Sequence, residues 1–456
     1  MTRNLPVVAI IGGGFAGTAL ALQLAGKAGV TLFEPAPVGP GLAYGTAEPA
    51  HLLNVPAAGM SPFPDKPAHF TDWLAAQPDA PPLPAAGPRF APRYLYGRYL
   101  QELWAAAAPA IRHVPRGVAS VERAGAGFRV TDTSGEAFAV DRVVLAVGGF
   151  AATPGAPPHL AGDPWDPAAL EGLAPEAPLL LVGLGLTMVD VLLALRERGH
   201  VGPVTAISRH GWLPLSHLMG VFPPPWPMAL AEGEAPGVLA AFRWLRVEVA
   251  RAAAAGQPWQ AVIDGVRPLV QRIWRGWDSV QRRRFLRHAR SAWNLHRHRL
   301  APEAAGRIGA ELATGGLRPV AARLADWRVG AQGVEAVLDR RGGGQEVLSV
   351  ARIILCTGPE GGAAWREAAP VAGMLAAGLL APDALGLGLS VSPEGVALDA
   401  AGQQVAGIDV LGPLTRGALW EITAVPDIRL QVAGLADRID RGKYEIPACG
   451  VGLAPI

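Results

Sequence analysis

Residues 7–34 read VVAIIGGGFAGTALALQLAGKAGVTLFE, and the reading of the fold starts there. An apolar run, Val7–Ile11, leads into Gly12-x-Gly14-x-x-Gly17. An Ala/Leu helix pattern follows, and a second apolar run, Val30–Phe33, ends in Glu34. Gly12 permits a tight turn, Gly14 lets backbone approach a pyrophosphate, and Gly17 lets helix and strand pack closely. The helix start at Phe15 and Ala16 offers free N–H groups and a positive dipole end to phosphate. Glu34 stands about 20 residues on, where a carboxylate takes both hydroxyls of an adenosine ribose. The stretch also has the outline of a signal peptide, with Arg3 before an apolar run. Three glycines inside the run and an acid after it argue against export, so a cytoplasmic protein is expected.

The rest of the composition narrows the class. At 456 residues the chain is expected to form two or three domains. Hydrophobic content of 50% with 17% charged residues suits a large α/β protein with buried parallel strands. The formal net charge of +2 gives no case for a nucleic-acid partner. Cys356 and Cys449 are far apart, so neither a redox dithiol nor a structural zinc site is expected, and no other metal site is read. The most membrane-like run, 177–195, contains Gly183, Gly185 and Asp190 and reads as strand–turn–helix, not a membrane span.

That run opens a second copy of the motif, LLLVGLGLTMVDVLLALRERGHVGPVTAISRHG, at 179–211. Gly183-x-Gly185 leads through Leu186 and Thr187 into a helix, with Met188 at the third glycine position. The following strand ends in Ser208-Arg209-His210 instead of an acid. An acid suits a free ribose hydroxyl and an arginine suits a 2′-phosphate, which suggests FAD in the first site and NADPH, ahead of NADH, in the second. The alternative for Arg209 is a solvated loop charge. Two further runs, 138–149 and 350–358, are apolar strands ending in glycine; they read as the chain leaving and rejoining the FAD domain. Residues 112–140 read as a β-meander and 151–178 as a linker. The expected organisation is an FAD domain at 1–165 and 316–456, interrupted by an NAD(P) domain at 176–315 with a helical insert at 230–305. The expected class is α/β, a two-dinucleotide-binding flavoprotein whose Rossmann-like FAD domain is of the three-layer ββα type.

The helical part ends in RRRFLRHARSAWNLHRHRL, 282–300. Its cations suit RNA, a cofactor phosphate, an acidic substrate, or plain solvent on an amphipathic helix, and the sequence leaves these open.

These residues together resemble a large bacterial family of FAD/NAD(P)-binding proteins, a sister group of the class B flavin monooxygenases. The marks are GGGFAG at 12–17, FEP at 33–35, GLAYGT at 41–46, HLLNVPAAGMSPFPD at 51–65 and PRYLYGRYL at 92–100. GLGLTMVD at 183–190, SRHGWLP at 208–214, FLRHARSAWNLHRHR at 285–299, CTGP at 356–359 and GPLTRGALWEITAVPDIR at 412–429 complete them. The resemblance implies FAD contacts at Pro35, Gly41, Tyr44, Val118 and Gly148 beside those of the glycine turn. It also implies that 41–63 and 412–429 line the flavin, with His51, Asn54 and Ser61 as polar groups and Asn54 the leading catalytic candidate at the flavin edge. Gly412 is expected to open a helix toward the flavin. The family's usual Gly-Asp pair is replaced by Gly412-Pro413, so Glu421 and Thr423 are expected to take over, with Arg429 an alternative partner of Glu421. The family usually has a second arginine where His210 stands. Arg93 is a candidate anchor for a substrate carboxylate, with Trp293 and Arg297 on the opposite wall.

The implied activity is an NADPH-dependent flavin monooxygenase that forms a C4a-hydroperoxyflavin with O2 and oxygenates a small molecule, by N-hydroxylation of an amine or amino acid. An NAD(P)H:acceptor reductase using a quinone or other small acceptor is the alternative, and an FAD-bearing binding protein without turnover the second. Oligomeric state is open, a homo-oligomer included.

Overall fold

The computed structural model describes residues 5–82, 86–148, 160–161, 164–231, 233–330, 333–358 and 364–441. Most of the expected 151–178 linker's first half, Pro359 and Cys449 lie outside these residues. Strands in chain order are β1 (Val7–Ile11), β2 (Gly29–Phe33), β3 (Arg112–Val114), β4 (Val118–Ala124), β5 (Gly127–Asp132), β6 (Ala137–Val140), β7 (Arg142–Leu145) and β8 (Leu160–Ala161). They continue with β9 (Leu179–Val182), β10 (Val204–Ser208), β11 (Leu317–Gly330), β12 (Gly333–Arg340), β13 (Gln345–Val350), β14 (Arg352–Leu355), β15 (Val396–Leu398) and β16 (Gln404–Val410). Helices are α1 (Phe15–Leu24), α2 (Gly41–Tyr44), α3 (His69–Ala75), α4 (Arg93–Ala107), α5 (Leu186–Glu197), α6 (Val238–Ala254) and α7 (Trp259–Val266). After them come α8 (Val270–Gly276), α9 (Ser279–His288), α10 (Arg290–Arg297), α11 (Pro302–Thr314), α12 (Ala364–Glu367), α13 (Val371–Ala376) and α14 (Val425–Arg441).

The first sheet has the order β15-β16-β7-β1-β2-β3, and β1 runs parallel to both β2 and β7. Its strands are apolar on both faces because both faces are covered. On one side α1, α4 and α14 pack through Ala19, Leu20, Leu95, Tyr99, Val432 and Leu435. On the other lies the β4-β5-β6 meander, with Val118, Val130 and Phe138 against Val143 and Ile408. This gives the ββα layering anticipated from sequence.

The second sheet, β13-β12-β11-β10-β9-β14-β8, departs from the expected boundary. β11 pairs parallel with β10, Leu317 opposite Val204, and β14 pairs parallel with β9, Ile353 opposite Leu180. Residues 317–355 therefore belong to the second sheet, and the expected break at 315/316 falls inside it. The chain returns to the first sheet only after 358. The apolar runs at 138–149 and 350–358, expected where the chain leaves and rejoins the FAD domain, do precede its departure from and its return to the first sheet, and they hold equivalent posts in the two sheets. β7 lies beside β1, and β14 lies beside β9. Burial of Leu317, Val320 and Ala322 fixes β11 against its neighbours, a long-range contact that local pattern does not encode. Helices α6–α10 form a separate aromatic cluster between β10 and α11, inside the expected insert, and Trp420 joins it.

Candidate dinucleotide and flavin site

The first glycine turn is built as its sequence demands. Gly12 has φ +103° and a Cβ there would stand 2.8 Å from the Ala146 carbonyl oxygen. A Cβ on Gly17 would stand 1.9 Å from the Gly12 carbonyl oxygen, so only glycine lets α1 close onto β1. Gly14 faces open space, its nearest neighbour being the Gly41 Cα at 3.6 Å from a Cβ placed there. No side chain caps the start of α1, so the amides at Phe15 and Ala16 remain available to an anion. The Glu34 carboxylate accepts the Gly13 N–H at 2.7 Å and the Ala36 N–H at 2.9 Å, one on each oxygen. Each oxygen retains acceptor capacity for a ribose hydroxyl. Pro35 is exposed beside it. This cradle fits an adenine dinucleotide.

Gly148 and Gly412 border the same turn. A Cβ on Gly148 would meet the Pro413 ring at 3.3 Å, and one on Gly412 would lie 3.8 Å from the Ala16 Cβ. Gly412 does not open an α-helix as expected. It starts a 3-10 turn, Gly412–Thr415, and its N–H is taken by the Gln431 side chain at 2.9 Å. Val118 is buried in the core between sheet and meander, which places it in packing. Tyr44 stands edge-on to Tyr96 with ring centroids 4.6 Å apart, and burial, opposed by Arg93, pushes its phenol up to about 12.

The second turn repeats the first. Gly183 has φ +121° and a Cβ there would stand 2.3 Å from the Cys356 carbonyl oxygen, the counterpart of Gly12 against Ala146. Gly185 has nothing within 4 Å of a Cβ and leads into α5 with no side-chain cap, so Leu186 and Thr187 open the helix over free space. Met188, where the motif's third glycine is missing, is fully buried in the core of the second sheet. At the end of β10, Ser208 Oγ accepts the Gly211 N–H at 3.1 Å and Arg209 donates to Ser291 Oγ at 3.4 Å. His210 stacks on Trp212 at 4.5 Å and accepts from Arg341 at Nδ1, 2.8 Å away. Burial, then Arg341 and Arg209, hold the His210 imidazole below its ordinary range. Arg341 was not found from sequence. Its only local signal is a basic pair before the Gly342–Gly344 turn.

The segment 46–93 of the first unit is joined to α5 of the second. Arg93 Nη2 lies 2.8 Å from Asp190 Oδ2, with both side chains nearly buried, and Arg93 Nε donates to the Leu52 carbonyl at 3.1 Å. His51 Nε2 lies 3.1 Å from the Asp190 carbonyl oxygen, and its Nδ1 lies 2.7 Å from Thr46 Oγ1. Arg198 adds a hydrogen bond to Glu48 at 3.0 Å. Burial pushes the Asp190 carboxyl up, with Arg93 pulling it down; burial also lowers the His51 imidazole. Arg93 and His51, expected at the substrate and the flavin, are thus engaged with the second domain. The Asn54 amide makes no hydrogen bond among the described residues; only its backbone oxygen is used, by His217 Nε2 at 3.1 Å. Ser61 is fully buried and donates to the Lys66 carbonyl at 2.7 Å, which assigns it to a turn.

Trp293, Arg297 and Glu421 meet one another. Glu421 accepts from Trp293 Nε1 and, at 2.8 Å, from Arg297 Nε. Burial works against the Glu421 carboxylate, yet Arg297, His298 and these hydrogen bonds outweigh it and hold it below its usual range. Glu421 has φ +68°, a conformation a non-glycine residue holds only when its surroundings impose it. The grip of Trp293 and Arg297 supplies that constraint. Arg429 does not pair with Glu421; it reaches the carbonyls of Gly59 and Ser61 at 3.4 and 3.3 Å. Thr423 is exposed.

The fold and paired cradles define a flavoprotein with two dinucleotide-binding units. Residues 9–150 match the sequence model of the FAD-NAD(P)-binding family, and the chain carries that domain. No curated protein matches the sequence. The L-lysine 6-monooxygenase of Pseudomonas syringae superposes with a TM-score of 0.61 at 17% identity, covering 96% of this chain and 99% of that one. The ornithine N-hydroxylase of Kutzneria sp. 744, solved with reduced FAD, NADP+ and L-ornithine, gives 0.60 at 14%, covering 96% and 100%. Lactococcus lactis thioredoxin reductase gives 0.52 at 10%, again 96% and 100%. These likenesses share the fold.

Proposed function

We propose that the chain is an FAD- and NADPH-dependent monooxygenase that oxygenates nitrogen in a small amine or amino acid. The observation that carries this reading is the glycine turn built twice, each leading into an uncapped helix, in two units joined through Arg93, His51 and Asp190. FAD belongs with Gly12, Gly14, Gly17 and Glu34, and NADPH with Gly183, Gly185, Arg209, His210 and Arg341. When held by Gly12, Gly14, Gly17 and Glu34, FAD would supply the redox chemistry between NADPH and O2. The protein's share is to hold the dinucleotides, exclude water and present the free Asn54 amide beside the flavin-lining segment. The monooxygenase reading is supported by the lysine and ornithine hydroxylases, alike in fold along nearly their whole length. The FAD domain is taken as 5–148 with 364–441, and the NAD(P) domain as 160–358.

Arg93 and Arg297 no longer serve as anchors for a substrate carboxylate, because Asp190 and Glu421 occupy them. Among described residues no helix is long and apolar enough to cross a membrane, and the expected place of work remains the cytoplasm. A reductase passing electrons to a small acceptor is the second reading, favoured by the fold it shares with thioredoxin reductase. Cys356 is 3% exposed and burial pushes its thiol up, so that acceptor would be a quinone and not a disulfide relay through this residue. The deciding experiment mixes the FAD-loaded protein with NADPH under nitrogen, then admits O2 with a panel of amines. N-oxygenated product matching NADPH consumed supports the proposal. Hydrogen peroxide as sole product with every amine, alongside rapid anaerobic quinone reduction, overturns it in favour of the reductase.

A further inference from the structure

The helical insert carries a charge that neither cradle uses. Residues 238–297 hold twelve arginines and three carboxylates, while the whole chain has a formal net charge of only +2. All three carboxylates are engaged. Glu248 accepts from Trp226 Nε1 and from Arg251, each at 2.9 Å, and Asp264 pairs with Arg299. Asp278 caps α9 by accepting the Gln281 N–H at 2.7 Å. The arginines therefore set the electric field over this part of the surface.

Two helices bring free arginines together. The Gln281 side chain of α9 accepts the Val238 N–H of α6 at 3.1 Å. One turn further on, Phe285 of α9 faces Phe242 of α6 with ring centroids 6.4 Å apart. A step of four on each helix keeps the same sides in contact, so α6 and α9 run side by side in the same direction. Their inner sides share the aromatic cluster, and their outer sides form one face. On α6 that face presents Leu239, Arg243 and Arg246, and on α9 Val280, Arg284 and Arg287, all exposed. The four guanidiniums make no ion pair or hydrogen bond among the described residues. Leu239 is 60% exposed and Val280 58%, so hydrocarbon stands in water between the cations.

That mixture has a chemical match. At the boundary of an anionic bilayer, phosphates take basic side chains and the acyl edge takes apolar ones. A single-stranded nucleic acid asks for exposed aromatic platforms beside the cations. The tryptophans of this segment turn inward instead: Trp244, Trp274, Trp277 and Trp293 all belong to the cluster. Among the described residues no helix is long and apolar enough to cross a membrane, so the contact is one in the plane of the surface.

We infer that the joint face of α6 and α9 docks the protein on an anionic lipid surface, with its arginines at lipid phosphates and Leu239 and Val280 at the acyl edge. The inference rests on the insert alone and stands whatever reaction the flavin serves. The test is co-sedimentation of the FAD-loaded chain with vesicles of phosphatidylglycerol mixed with phosphatidylcholine, and with vesicles of phosphatidylcholine alone. The mixed vesicles bind the protein at least about tenfold more tightly at low salt, and the preference shrinks as salt rises. Arg243→Glu, Arg284→Glu and Arg287→Glu together weaken that binding about tenfold or more. Leu239→Ser with Val280→Ser weakens it about threefold or more at unchanged charge. Each variant retains bound FAD, the sign that it has folded; should the charge reversals fail to fold, Arg243→Gln, Arg284→Gln and Arg287→Gln take their place. Equal binding to the two vesicle types, binding to neither, or unchanged binding by the folded charge variants overturns the inference. So does binding to polyuridylate that is tighter than binding to vesicles and indifferent to Leu239→Ser with Val280→Ser, which would assign the face to nucleic acid.

Discussion

Arg341 reaches His210 across 131 residues of chain, and Arg209 stands beside it. In the proposed function, these two guanidiniums and the imidazole at the end of β10 take the 2′-phosphate of NADPH. Arg209→Ala and Arg341→Ala should each raise the KM for NADPH about tenfold, roughly 1.4 kcal/mol, and leave that for NADH nearly unchanged. Initial rates with both nucleotides decide it; equal effects on the two would remove these residues from the phosphate. The Glu421 carboxylate is the other residue with a sharp expectation. Its pKa is lowered on folding, so it contributes stability above the unfolded carboxylate range and loses that contribution as pH falls through the lowered value. Glu421→Gln should therefore flatten the acid limb of a stability-against-pH curve. Arg297→Ala, which leaves a buried carboxylate unpaired, should cost about 3–5 kcal/mol in urea unfolding. A loss under about 1 kcal/mol would mean that the pair is solvated, as surface pairs are. Arg209, His210, Glu421, Trp293 and Arg297 were each legible as candidates in the sequence, but Arg341 and the grip of Trp293 and Arg297 on Glu421 were not, because these partners carry no local signature of one another.

The two strand–turn–helix elements make the same argument twice. Gly17→Ala drives a Cβ into the Gly12 carbonyl and should part α1 from β1. That protein is expected to purify without yellow colour. Gly183→Ala forces φ +121° on an alanine and a contact at 2.3 Å with Cys356, but in the second element. It should keep its FAD absorbance and lose anaerobic bleaching by NADPH. Loss of FAD from both variants alike would contradict the separate assignment of the two cradles. These elements were readable from sequence in nearly every detail. Turn, helix start and strand-end residue lie within about 30 residues, and each glycine answers a local steric demand. Met188 marks the limit of that reading: the second turn closes without its third glycine, and the side chain enters the core instead.

At the scale of the molecule, Arg93 and Asp190 hold the two halves together. Asp190→Asn keeps the shape and removes the charge. It should slow flavin reduction by NADPH about tenfold in stopped flow, since misplacement of about 1 Å between reacting groups carries penalties of that order or more. An unchanged reduction rate with lowered thermal stability would make the clasp structural only. The course of the chain through the two sheets was legible in part. The ββα layering and the helical insert followed from apolar pattern and motif. The return to the first sheet was placed at 316 and occurs after 358, because β11 pairs with β10 through contacts no local window contains.

The sequence by itself determined the two dinucleotide turns, the acid that closes the first and the basic end of the second. Backbone φ and Cβ clearance in a tight turn are set by residues adjacent in the chain. Only the tertiary structure decided which charges stay free. Arg93 with Asp190, Arg297 with Glu421 and Arg341 with His210 join residues that are distant in sequence. Whether a guanidinium awaits a ligand or is already neutralised depends on what the folded chain carries to it. The same holds for the aromatic cluster, where α6–α10 meet Trp420 from the far end of the chain.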